Sequence, residues 1–62
     1  MMTVNIYGKD EICVFTFKNV IKVITTGIHE DKPKIIITKL KNNEIIEKTF
    51  DANKYVITKV ED

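Results

Sequence analysis

Residues branched at Cβ dominate this chain and restrict it to a fold made of strands. Isoleucine, valine and threonine supply 24 of its 62 residues, whereas leucine and alanine occur once each. β-branched side chains lose rotamer freedom in a helix and pack well on the pleated surface of a sheet. Since good helix formers other than lysine and glutamate are scarce, the sequence predicts a single all-β domain over residues 1–62.

Six strand-like runs follow one another, separated by short turn signals. They cover residues 3–7, 11–17, 20–26, 34–41, 44–50 and 55–60. Lys18-Asn19 and Asn42-Asn43 have the composition of two-residue turns, because asparagine tolerates a left-handed backbone. The one long connection, residues 27–33, separates two three-stranded halves. The pattern predicts a six-stranded antiparallel meander that closes into a small barrel or a two-layer sandwich.

The turns also predict a register, and hence which side chains share a face. Across the two turns of the second half, the register pairs Leu40 with Ile45, Lys39 with Ile46, Ile37 with Lys48, and Phe50 with Tyr55. An aliphatic/threonine face then carries Ile36, Leu40, Ile45, Val56 and Val60 in the second half, and Ile12, Val14, Thr16, Ile21, Val23 and Thr25 in the first. An aromatic/lysine face carries Ile35, Ile37, Ile46, Phe50, Tyr55, Ile57, Lys39, Lys48 and Lys59, with Cys13, Phe15, Phe17, Val20, Ile24, Glu11 and Lys22 from the first half.

The two faces differ in charge, which favours one of them as the core. The aliphatic/threonine face is favoured as the interior because it carries almost no charge. The alternative places Phe15, Phe17 and Phe50 in the core, with the lysine stems reaching out at its ends. A slip of one residue would exchange the two faces.

Both faces are largely apolar, so one of them is expected to need a covering partner. The candidate binding residues lie on the aromatic/lysine face: Ile37, Lys39, Lys48, Phe50, Tyr55, Ile57 and Lys59. The prediction is a small non-enzymatic interaction module that binds a protein partner or a second copy, as a homodimer. The alternative is weak, non-specific nucleic-acid binding through Lys39, Lys48 and Lys59. The absence of arginine disfavours that alternative, because arginine makes most base-specific contacts.

Residue types that carry catalysis and metal binding are sparse. There is no serine, and Cys13 and His29 are the only residues of their kinds. One cysteine and one histidine cannot assemble a zinc site, and Gly8 and Gly27 do not form a phosphate loop. His29-Glu30-Asp31 is interpreted as a solvated loop tip and Cys13 as an inert, packed thiol. The expectation is a protein without enzymatic activity, cofactor or metal.

Charge and hydropathy indicate where such a chain would work. The formal net charge is +1, and the longest apolar run is Ile35-Ile36-Ile37. That run is far shorter than a membrane-spanning helix requires. The start of the chain lacks the basic residues and apolar run of a signal peptide. The sequence therefore predicts a cytoplasmic protein with no membrane partner.

The segment from Phe17 to Val60 resembles a group of small β-meander proteins. It contains a Phe-x-Asn-Val turn at residues 17–20, an asparagine-rich hairpin, and a final Tyr-Val-Ile-Thr strand at residues 55–58. These features are similar to those of uncharacterised small β-meander proteins of low-GC Gram-positive bacteria and their phages. The resemblance implies a phage or mobile-element accessory protein and brings no functional residues with it.

Overall fold

Strands occupy 72% of the computed structural model, which describes residues 1–61. They are β1 (Met2–Gly8), β2 (Cys13–Thr26), β3 (Lys34–Lys41), β4 (Glu44–Asp51) and β5 (Tyr55–Glu61), with a single 3-10 turn at Ile28–Glu30 between β2 and β3. The predicted all-β class is confirmed. The number of strands is five rather than six, and they form one open sheet rather than a closed barrel.

The strand order across the sheet is β4-β3-β2-β1-β5, with every neighbouring pair antiparallel. β4 and β5 are consecutive in the chain but lie at opposite edges. The predicted pairing of Phe50 with Tyr55 is therefore wrong, and Tyr55 pairs with Gly8 on β1 instead. Because only three residues connect β4 to β5, the sheet must curl until its two edges approach each other at this corner.

The long strand β2 explains why there are five strands rather than six, and why the sheet curls. Lys18-Asn19 was expected to reverse the chain, but β2 runs through it without a break. Asn19 does adopt a positive φ of 59°, and register shifts occur in the ladders on either side of it. Bulges of this kind bend a strand and increase its twist. The first half of β2 thus pairs with β1 and the second half with β3, so residues 27–33 join neighbouring strands and do not divide two halves.

The hairpin formed by β3 and β4 has the predicted register. Leu40 pairs with Ile45, Lys39 with Ile46, and Ile37 with Lys48. Asn42 and Asn43 both have positive φ, at 52° and 65°. Two consecutive left-handed residues form the turn that matches the twist of an antiparallel pair, and asparagine is among the residues that tolerate it best.

The core lies on the aromatic/lysine face, so the preference for an aliphatic/threonine interior is wrong. The five buried hydrophobic residues are Val4, Ile6, Val20, Ile35 and Ile37. On the opposite face Ile45, Val56 and Val60 are exposed. The charge argument failed because Lys48 and Lys59 lie on the two edge strands, where a lysine stem can cover the core while its ammonium group stays in water.

The bulges in β2 also change which of its side chains face inward. Val23 and Thr25 were assigned to the aliphatic/threonine face, but they pair with the buried Ile37 and Ile35 and so share the inner face. Ile24 pairs with Ile36 and faces outward. Each irregularity shifts the alternation of side chains along the strand, so a uniform alternation from residue 11 to residue 26 could not place them correctly.

Thr38 is a buried polar residue on the outer side of β3. Its exposed fraction is 6%, and its hydroxyl has no hydrogen-bond partner among residues 1–61. A buried hydroxyl without a partner loses its hydration and gains nothing in return. We expect Thr38→Val to raise the free energy of unfolding in urea by about 1 kcal/mol. The same change at the exposed Thr49 is the control and should have little effect; a destabilised Thr38→Val would show that the hydroxyl is satisfied.

Candidate functional site

Four aromatic rings gather on the inner side of the sheet. Phe15 lies 5.4 Å from Phe50 and 6.2 Å from Phe17, measured between ring centroids. Phe50 also lies 5.8 Å from Phe17 and 5.8 Å from Tyr55, the latter edge-on. These separations are those of favourable aromatic pairs. The cluster joins β2, β4 and β5, so it closes the corner where the two edges of the sheet approach each other.

Three lysines accompany these rings on the inner side. The ammonium nitrogen of Lys39 lies 5.6 Å from the centroid of the Phe17 ring, within the range of a cation–π interaction. Lys48 and Lys59 are exposed on β4 and β5. A surface that combines exposed cations with aromatic edges can attract an anionic group and pack an apolar one beside it.

The predicted binding residues therefore share one side of the sheet, but they are not equally accessible. Ile37 is fully buried at 0% exposure and cannot contact a partner. Ile57 is half-buried and pairs with the buried Ile6. We define the open inner surface as the candidate residues other than Ile37 together with Phe15: Phe15, Lys39, Lys48, Phe50, Tyr55, Ile57 and Lys59.

Phe15 is the member of the open inner surface that the candidate set omitted. It lies opposite the buried Ile6 on β1, yet its exposed fraction is 42%. The sequence did place it on the same face as Phe17 and Phe50. The sequence did not predict that the sheet stays open beside β2, which leaves this inward-facing phenyl ring accessible to solvent.

Several exposed apolar side chains lie on the outer side of the sheet. Their pairing places Ile24, Ile45, Val56 and Val60 there. The homodimer was expected to cover Ile37, Phe50, Tyr55 and Ile57, but those four are buried or half-buried within the subunit. Ile37 is therefore not available for self-association, whereas the half-buried Phe50, Tyr55 and Ile57 remain partly accessible.

A shallow cavity of about 300 Å³ lies between the connection before β3 and the turn after β4. Asp31, Lys32, Lys34 and Asp51 contribute charges of both signs to its lining, and Phe50 forms an apolar part of it. The backbone N–H of Ala52 donates to the carbonyl oxygen of Pro33 at 2.9 Å and ties the two segments together. This balanced lining selects no particular ligand charge.

The remaining reactive side chains lie apart from one another. His29 is exposed in the 3-10 turn, and no group of three or more potential metal ligands occurs within residues 1–61. Cys13 is exposed rather than packed, with its sulfur 3.5 Å from the carbonyl oxygen of Phe15. The interpretation of Cys13 as a packed thiol is therefore wrong, because the irregular pairing near Tyr7 places it opposite an outward-facing residue.

Comparisons with known proteins identified no relative of this chain. Scans of family models, of curated proteins and of solved structures each found no match. Within residues 1–61, no helix has the length and apolar character needed to cross a membrane. What this protein can bind is therefore indicated by the surface chemistry of its sheet.

Proposed function

We propose that this protein is a small non-enzymatic interaction module that binds a protein partner through the open inner surface. Its suggested setting is the cytoplasm, as an accessory protein of a phage or mobile element, following the resemblance noted above. The partner supplies the apolar cover that a sheet of this size cannot provide for itself. Binding, rather than catalysis, is the role that suits a surface of aromatic rings and lysines.

The exposure of Phe15 is the observation that carries this proposal. Its ring packs against Phe17 and Phe50, but 42% of the residue remains accessible. An aromatic ring that is held in place by other rings loses little conformational entropy on binding, which is why rigid aromatics are effective contact residues. The preformed cluster offers an apolar anchor of this kind.

The lysines indicate the chemistry of the partner. Lys48 and Lys59 are exposed on either side of the inner surface, and Lys39 is half-buried against Phe17. The two acidic residues that share the inner side by register, Glu44 and Glu61, lie at the first position of β4 and the last position of β5. A segment that combines an aromatic or aliphatic side chain with flanking aspartate or glutamate would complement both features.

Single-stranded nucleic acid is the second candidate. The position of Lys39 over the Phe17 ring, beside further rings, resembles the combination of cations and stacking platforms that binds bases and phosphates. Two features weigh against it. The rings of the cluster are engaged mainly with one another, and the chain contains no arginine.

A selection from a displayed random peptide library tests the proposal. We expect the selected peptides to combine acidic and aromatic or aliphatic residues. Phe15→Ala and Lys48→Glu should each weaken their binding by about tenfold, because each removes a central contact or reverses a charge. Lys22→Glu is the matched control, since Lys22 is exposed on β2 and pairs with Thr38 on the outer side of the sheet. Circular dichroism would verify that all variants are folded.

Titration of a fluorescent single-stranded oligonucleotide in low and high salt distinguishes the two candidates. Phosphate contacts weaken steeply as salt rises, whereas an interface centred on Phe15 does not. Peptides that bind the Phe15→Ala variant as well as the parent protein would refute the proposed surface. Salt-sensitive oligonucleotide binding without any peptide binding would favour the nucleic-acid alternative.

A further inference from the structure

The two edges of the sheet differ in how well they are protected against pairing with another strand. Natural edge strands avoid such pairing by charged side chains, prolines, bulges or short length. β4 carries four charged residues among eight: Glu44, Glu47, Lys48 and Asp51. β5 has no proline, pairs with β1 over all seven residues without a register shift, and carries only two charges, Lys59 and Glu61, within its last three residues.

The side chains of β5 are also open to contact. Val56 is 58% exposed and Val60 is 51% exposed, both on the outer side, with the exposed Thr58 between them. Within residues 1–61, β1 is the only strand that pairs with β5. One side of the β5 backbone therefore presents unsatisfied hydrogen-bonding groups beside an apolar stripe, which is the arrangement that accepts an added strand.

We infer that a second copy of this chain pairs with β5 in an antiparallel manner, so that two sheets join into one across a twofold axis. Thr58 is the midpoint of Tyr55–Glu61, and pairing centred on it uses the full strand of both copies. Residues that are directly opposite in an antiparallel pair share a face, and a twofold axis perpendicular to the sheet preserves that relation. The interface is self-complementary, as a symmetric dimer requires.

The charges of β5 fit this register. Val56 meets Val60 of the second copy, which covers the exposed valines on the outer side. Ile57 meets Lys59 of the second copy, whose methylene stem can lie over the isoleucine. Tyr55 meets Glu61 of the second copy, and the two threonines meet at the axis. Like charges are nowhere directly opposite in this register. A charge introduced at the axis would face its own copy, and like charges directly opposite are destabilising.

β4 offers no equally good match with itself. Pairing centred on Glu47 or Lys48 would place identical charges opposite each other, and pairing centred on Thr49 would oppose Glu47 to Asp51. Pairing centred on Ile46 would oppose Glu44 to Lys48, but it uses only residues 44–48 of the strand. Like charges across a pair of strands are destabilising. The edge formed by β5 is thus the one suited to a second copy. Tyr55 and Lys59 also belong to the open inner surface, but pairing along β5 rests on the backbone edge and the outer valines and does not depend on the proposed partner site.

Charge placed at the twofold axis provides the test. Thr58 is exposed, so Thr58→Glu should leave the subunit folded but put two carboxylates opposite each other. We expect sedimentation equilibrium between about 1 and 100 µM to show a dimer for the parent protein, and the dissociation constant to rise by about tenfold or more in Thr58→Glu because like charges meet at an interface. Thr49→Glu is the matched control on β4 and should leave the dimer intact.

A mixture of variants makes the test specific for the axis. Thr58→Lys should weaken the homodimer as Thr58→Glu does, whereas an equimolar mixture of the two should restore a dimer, because glutamate then faces lysine. Three results would each overturn the inference: a parent protein that is monomeric throughout this range, a dimer that tolerates Thr58→Glu, or an assembly that Thr49→Glu disrupts equally. Restoration by the mixture would support pairing centred on residue 58.

Discussion

Ile37→Ala should lower the free energy of unfolding by about 3 kcal/mol, because it leaves a cavity in the centre of a small core. Ile37 is fully buried and pairs with Val23 on one side and Lys48 on the other. Only five hydrophobic side chains are buried among residues 1–61. A domain of this size has a stability of only several kcal/mol in total, so much of the population should unfold. Urea denaturation followed by circular dichroism measures the loss.

Ile45→Ala provides the matched control for this prediction. Ile45 is on the neighbouring strand β4, and its exposed fraction is 71%. Because little apolar area is withdrawn from water there, the same change should cost less than about 0.5 kcal/mol. Equal losses in the two variants would contradict an interior formed by the aromatic/lysine face.

Gly27→Ala is expected to be almost as damaging, for a backbone reason. Gly27 follows β2 with φ at 77°, a conformation that costs residues with a Cβ about 1–2 kcal/mol. A Cβ there would also lie 2.3 Å from the carbonyl oxygen of Lys32. Since that atom belongs to the backbone, the connection itself would have to move. We expect a total loss of more than about 2 kcal/mol, measured by thermal or urea unfolding.

Gly8→Ala is the control for Gly27→Ala. Gly8 does not have a positive φ, and the nearest atom to its added Cβ is a side-chain oxygen of Asp10 at 3.0 Å. Moving that side chain costs at most the exposed hydrogen bond that it accepts from the Ile12 backbone N–H, so the loss should stay well below that of Gly27→Ala. If Gly27→Ala were as stable as Gly8→Ala, the tight connection between β2 and β3 would not have the conformation described.

The predictions that held were those that depend on neighbouring residues in the sequence. The all-β class followed from β-branched composition, and the register of the β3–β4 hairpin followed from Asn42-Asn43. Both reflect local physics, since turn length fixes register. The face assignments of β3 and β4 held for the same reason. That of β5 also held, although the β4–β5 pairing from which it was derived is wrong.

The failures arose where one local signal is compatible with two global outcomes. Asn19 adopts the left-handed backbone that its residue type suggested, but the same conformation can make a turn or a bulge. The residues next to Asn19 do not decide between a turn and a bulge. The outcome depends on distant strands, because β1 pairs with the first half of β2 and β3 pairs with its second half. The choice of interior failed similarly, since the sequence does not say that Lys48 and Lys59 lie on edge strands.

The position of β5 beside β1 has a consequence for how the chain folds. Ile6 pairs with Ile57, although all of β2, β3 and β4 lie between them in sequence. Contacts between distant residues require a large loss of chain entropy before they contribute any stability, and they slow folding. The hairpin of β3 and β4 can form early and alone, whereas the β1–β5 ladder must form late. Refolding kinetics should therefore respond more strongly to changes at the Asn42-Asn43 turn, and unfolding kinetics to changes along β5.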